Sequence, residues 1–223
     1  MNREEKNKKV KQAISILITI LALIMIGYGG WNVYSILKEE KEEKDSATQK
    51  MDTFRDSLGT VDYNPMEIEG NPEFNPEDVN TIGIMTIEEL DVEAPITWMP
   101  AGDYAGQEAV LSAYIGQDEL TPPLGMGKGN NSVFYSHSSI YSCAHCYFNN
   151  IDKLQVGDIV KILYYDSNEY MYLVTDVIPY LDPQADDYPN YLKDDPNKEK
   201  ITLVTCTGGH SEYRTVVYAD RLN

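Results

Sequence analysis

Residues 13–37, AISILITILALIMIGYGGWNVYSIL, run for 25 positions without a single charge. No other stretch restricts the chain so severely. Hydrocarbon offers no partners to peptide N–H and C=O groups, and a helix satisfies them all within one segment. At about 1.5 Å per residue the run can cross a hydrocarbon core roughly 30 Å thick, so a transmembrane helix is expected over 13–37. A cleaved leader would have a shorter apolar core and small residues at its cleavage site, whereas this run ends in GYGGWNVYSIL, with bulky residues there instead. Tyr28, Trp31 and Tyr34 suit the outer interface. Residues 1–12 carry Arg3, Lys6, Lys8, Lys9 and Lys11 against Glu4 and Glu5, while the flank after the run, KEEKEEKD, is mixed. This asymmetry places a short tail (1–12) in the cytoplasm and the bulk of the chain outside, as a single-pass protein of the cell membrane that meets lipid through 13–37.

The outer part divides by composition. Residues 38–80 begin as a charged, helix-compatible run and pass into VDYNPMEIEGNPEFNPEDVN, where low hydrophobicity and repeated Asn-Pro breakers predict a stalk or spacer rather than a packed core. From residue 81 to 223 the pattern is of short β-branched and aromatic runs between turn residues, and with 17 Tyr against 4 Phe in the whole chain a β-rich domain is expected. Strands are expected within TIGIMTIEELDVEAPITWM, broken near Glu88–Leu90 and at Pro95. Others are expected in SVFYSHSS, ending on His137, and in a pair from Ile159 to Tyr165 and Tyr170 to Tyr180. AGQEAVLSAYIG reads as a short helix or a buried connector. FNNIDKLQVGD reads as one or two helical turns capped by Asn149 or Asn150. LTPPLGMGKGNN and LDPQADDYPNYLKDDPNKEK read as loops, and the length of the second suggests a role. The net charge of −18, from 36 acidic and 18 basic side chains, argues against nucleic acid as a partner and suits solubility.

The candidate chemistry lies in residues 201–214, ITLVTCTGGHSEYR. Ile201, Leu203 and Val204 form a strand ending near Cys206, Gly208-Gly209 turns the chain, and TVVY begins a return strand with Arg214 as its first residue. Cys206 and Arg214 are then side by side. A thiol nucleophile acts as thiolate and needs a histidine and a donor for a developing oxyanion. Cys206, His137 and Arg214 supply one of each, although a strand cysteine is commonly a small core residue and an arginine commonly a surface charge. His210 reads as an exposed turn residue. His145 lies between Cys143 and Cys146 in CAHC, a pair that could be free or disulfide-linked, part of a metal site, or redox-active.

With these residues on view, the chain resembles the sortase family. Thr202, Leu203, Thr205 and Cys206 match the motif Thr-Leu-x-Thr-Cys, followed by an arginine on the next strand. PPLGMGKGNNSVFYSHSS is similar to the family's loop and strand leading to its histidine, and FNNIDKLQVGDIVKI to the helix and strand after it. TIGIMTIEELDVEAPI is similar to its first strands, so the likeness covers residues 81–223. Ser136 departs from it, a glycine being usual before the histidine. The resemblance implies a mostly β fold, a closed eight-stranded barrel with short helices behind an N-terminal transmembrane helix. It implies a cysteine transpeptidase of the Gram-positive surface with Cys206 as nucleophile, His137 as acid and base, and Arg214 at the oxyanion. Its partners would be secreted proteins carrying a C-terminal LPXTG-like sorting signal and the amine of a peptidoglycan precursor. Thr205, Leu181, Tyr188 and Tyr191 are expected to contact substrate, and substrate choice to map partly to residues 181–200. No cofactor is expected. Some sortases bind calcium through acidic loops, but Asp182, Asp186, Asp187, Asp194 and Asp195 read more simply as solvated, and no metal is assigned to them. The spacer lacks the Asp-Pro-aromatic lid signature of pilus polymerases. Two other readings stay open: a non-catalytic extracellular binding module on a sortase-like barrel, and a thiol redox protein using Cys143 and Cys146.

Overall fold

A computed structural model describes residues 3–59, 80–139, 143–184, 192, 194–208 and 210–222, without the side chains of 3–15, 210 and 211. Helix α1, Arg3–Ser57, is continuous and carries the expected apolar run. Ile16, Leu17, Leu23, Ile24, Met25 and Ile26 are all exposed on it, as lipid-facing side chains of a membrane helix are. The chain forms two compact units, residues 1–42 and 43–223. Within the second, Met51 and Phe54 near the end of α1 are buried against Ile84, so part of the segment read as spacer packs on the β domain.

That domain is a closed barrel of eight strands in the order β1-β2-β3-β4-β7-β8-β6-β5. In chain order they are β1 (Gly83–Ile87), β2 (Val92–Met99), β3 (Ile115–Asp118), β4 (Asn131–Tyr135), β5 (Ile159–Tyr164), β6 (Glu169–Leu181), β7 (Lys200–Thr207) and β8 (His210–Arg221). Helix α2, Tyr104–Leu111, joins β2 to β3. Closure leaves no free sheet edge, and period-2 alternation then sorts side chains into an inner and an outer set. The inner set includes Ile96, Ile115, Phe134, Ile162, Tyr172, Ile201, Leu203, Val217 and Ala219 in one buried cluster.

The expected break at Pro95 is absent. Pro95 pairs with Ile84 of β1, but β2 meets β3 only from Ile96 onward, so a residue lacking an N–H costs no bond on that side. The expected helical turns after Phe148 reduce to a single 3₁₀ turn, Ile151–Lys153, and neither asparagine caps it with a side-chain hydrogen bond. Asn149 is used elsewhere: its Oδ1 accepts the N–H of Ser139 at 2.8 Å.

Glu199 ties the long loop to the barrel. Its carboxylate accepts the N–H groups of Gly125 and Gly127 at 2.9 and 3.1 Å, the Tyr172 hydroxyl at 3.1 Å and Arg221 Nη1 at 2.9 Å. Gly125 sits at φ 81°, where a Cβ would also collide with the Tyr170 hydroxyl, so the loop needs glycine there. With only 11% of the Glu199 side chain exposed, Glu199→Ala removes the acceptor of four donors at once, the buried Tyr172 among them. The expected cost is about 3 kcal/mol, seen as a fall in Tm of roughly 6–12 °C. Thermal melts of both proteins check this.

Candidate active site

Three neighbouring strands bring the predicted site residues to one end of the outer face. Cys206 of β7 and Arg214 of β8 are Cα partners, and Arg214 is also the partner of Leu181 on β6. Arg214 is not the first residue of its strand, and His210 is not in the turn. β8 already begins at His210, paired with Thr207, and the register then slips so that Ser211–Tyr213 are extra residues on β8. Gly208, at φ 53°, lets β7 end this abruptly.

His137 lies beyond β4 rather than on it: past Tyr135 the strand pairing ends in one long backbone bond, and side-chain bonds follow. β4 runs parallel to β7, with Tyr135 opposite Val204, and continuing that register by two residues sets His137 level with Cys206. Three hydrogen bonds hold it there. Ser136 N–H donates to Val204 O at 3.4 Å, the Thr205 hydroxyl donates to Ser136 O at 2.7 Å, and the Ser138 hydroxyl donates to the carbonyl of Cys206 itself. The residues flanking His137 are thereby anchored to Cys206 and its neighbours.

Alternation fixes which way the strands present these residues. Leu203 and Val217 belong to the inner core, whereas Val204, Val216, Val133 and Leu181 form a second buried cluster, with Tyr135, Ile178, Leu192 and Tyr218 packed against it. Cys206 and Arg214 each stand two positions along their strands from a member of this outer group, so they share its face, and His137 follows Tyr135 by two positions just past the end of β4. The result is an apolar floor that ends at a thiol, an imidazole and a guanidinium. Cys206 is a free, partly exposed thiol.

His137 Nε2 lies 3.7 Å from Oε2 of Glu108 on α2, and its ring meets that of His145 edge-on, with centroids 6.1 Å apart. Burial pushes the His137 pKa below the usual imidazole value, with the Glu108 charge opposing that shift and His145 adding to it. Reading the sequence misses Glu108, since a helix carboxylate twenty-nine positions from the histidine carries no local signal. Ser136, unusual where glycine is common, has a use here: its hydroxyl donates to His145 O at 3.5 Å, a bond glycine cannot make.

The remaining candidates occupy varied settings. Thr205 is buried and its hydroxyl is committed to Ser136; Leu181 is buried in the apolar floor. Tyr188 and Tyr191, with Asp186 and Asp187, lie outside the described residues. Asp182, Asp194 and Asp195 accept backbone N–H groups from Gln184, Asn131 and Asn197. Cys143 and Cys146 are joined in a disulfide.

A closed barrel of this order, with a cysteine and an arginine paired across its last strands, defines a sortase-type fold. A sortase-domain family model matches residues 85–222, and the chain belongs to the sortase family. Solved structures agree. The sortase D5 transpeptidase of Clostridium perfringens is 25% identical at a TM-score of 0.54, over 81% of this chain and 98% of that one. Sortase C1 of Streptococcus suis is 23% identical at 0.54, over 64% and 73%. A lid mutant of sortase A from Corynebacterium diphtheriae is 24% identical at 0.54, over 80% and 93%. A comparison with curated proteins returned no match.

Proposed function

We propose that this sortase is a membrane-anchored cysteine transpeptidase that cleaves an LPXTG-like sorting signal and joins the protein to a cell-wall amine. The observation that carries the reading is the pairing of Cys206 with Arg214, with His137 tethered at the same level by Thr205 and Ser138. The Cys206 thiolate attacks the carbonyl carbon of the signal's threonine, and Arg214 donates to the oxygen that gains charge. His137 as imidazolium protonates the departing amine, leaving a thioacyl enzyme. The neutral imidazole then takes the proton of the incoming peptidoglycan-precursor amine, which expels the thiolate. The apolar floor of Val133, Leu181, Val204 and Val216 suits the leucine and proline of such a signal. The uncharged run 13–37 serves as the anchor, with its basic flank inside.

A peptide library of sorting-signal variants, incubated with the chain and read by mass spectrometry, tests this. The expected result is a thioacyl adduct on Cys206 and transfer to an added amine; no cleavage of any variant would overturn it. The pH dependence offers a further check. Glu108 opposes the depression of the His137 pKa, so Glu108→Gln lowers that pKa further and the imidazolium is lost at lower pH. The basic limb of the kcat profile is therefore expected to move to lower pH in Glu108→Gln, with Glu108→Asp moving it less.

A further inference from the structure

The Cys143–Cys146 bond has no part in this chemistry. It closes a ring of only four residues, so it restrains the unfolded chain far less than a bond across a long loop. The same turn is already held by Cys146 N–H to Cys143 O at 3.3 Å and Asn149 N–H to Cys146 O at 3.0 Å. A staple is therefore a weak account of it. His145 adds a third donor: one ring nitrogen and the two sulfurs lie within 4.8 Å of one another, which no other group of His, Cys, Asp and Glu achieves among the described residues. Glu43 Oε2 stands 3.4 Å from His145 Nδ1, the carboxylate partnership that orients metal-binding imidazoles. A cleft of about 550 Å³, walled by Lys44, Thr48, Glu93 and Asn150, opens onto both cysteines and provides a way in.

We propose that Cys143, His145 and Cys146 form a thiolate–imidazole site for a soft divalent cation such as zinc, and that the disulfide is its oxidised, metal-free form. Reduction converts the disulfide to the metal-ready form with balanced chemistry. A tertiary phosphine attacks one sulfur and breaks the S–S bond; water completes the step, giving two thiols and one phosphine oxide. Both thiols lose their protons on binding the cation, so two thiolates and a neutral imidazole make a centre of zero net charge. Three protein donors leave one coordination position open, as in sites that exchange a ligand rather than in closed structural centres. The site stands on binding alone and does not depend on the transpeptidase reading.

The test uses the full chain in detergent carrying Cys206→Ala, so that the other thiol cannot contribute. After phosphine reduction and removal of the phosphine, zinc is titrated against a chromophoric chelator, and cobalt is added separately to reveal thiolate-to-metal charge transfer. One zinc per reduced chain, none per oxidised chain, and a charge-transfer band with cobalt are expected. Cys143→Ser with Cys146→Ser should abolish both the zinc uptake and the cobalt band, and Glu43→Gln should weaken zinc binding about 10-fold. His145→Ala should weaken it more. No zinc uptake on reduction, undiminished uptake in the double serine variant, or collapse of the barrel's circular dichroism on reduction would overturn the proposal.

Discussion

Cys206→Ala is expected to lower sorting-signal cleavage by at least about 10⁴-fold and to leave no thioacyl adduct, with the peptide still bound. The size follows from the role. Removing a nucleophile removes the covalent path itself, whereas on the proposed reading the apolar floor that would hold the peptide stays intact. Cys143→Ala combined with Cys146→Ala should keep cleavage, because their disulfide lies outside the thiol–imidazole–guanidinium group. The pair of experiments separates the competing readings. Cleavage surviving in Cys206→Ala but lost in the double variant would transfer the chemistry to CAHC, and peptide binding without turnover in the wild-type chain would leave a binding module.

Arg214→Ala should lower kcat about 10²–10³-fold with a smaller change in KM, the signature of a donor that strengthens as charge develops. The strand pairing motivates this. Arg214 is held between Leu181 and Cys206 by two ladders, so its backbone cannot drift when a substrate carbonyl arrives. Arg214→Lys should recover only part of the loss, because an ammonium is a point charge and cannot reproduce the planar two-point geometry of guanidinium. Equal losses in kcat and in peptide affinity would instead assign Arg214 to ground-state binding. Circular dichroism of each variant guards against a folding defect.

Much of this was legible before any coordinates, for identifiable reasons. The 25-residue uncharged run is a local property, and lipid allows it one structure. The Thr-Leu-x-Thr-Cys segment and the TVVY run after it are β-branched stretches on either side of glycines, so a strand pair carrying Cys206 and Arg214 is set by short-range rules. Element ends were less legible. Pro95 reads as a break unless it is known that β3 joins β2 only from Ile96, and Asn149 reads as a helix cap unless Ser139 is known to be its partner. His210 moved from turn to strand because the extra residues were absorbed within β8 rather than in the turn.

By itself, then, the sequence determined the long apolar helix, the β-rich class and the strand pair that carries Cys206 and Arg214, because each rests on residue type and spacing within one segment. Only the tertiary structure decided that His137 stands level with Cys206, that Glu108 faces it from α2, and that Glu43 reaches His145. Those relations join residues 69, 29 and 102 positions apart. Barrel closure and the parallel pairing of β4 with β7 create the first of them, and the packing of helices against the barrel creates the other two; none leaves a local pattern to be read.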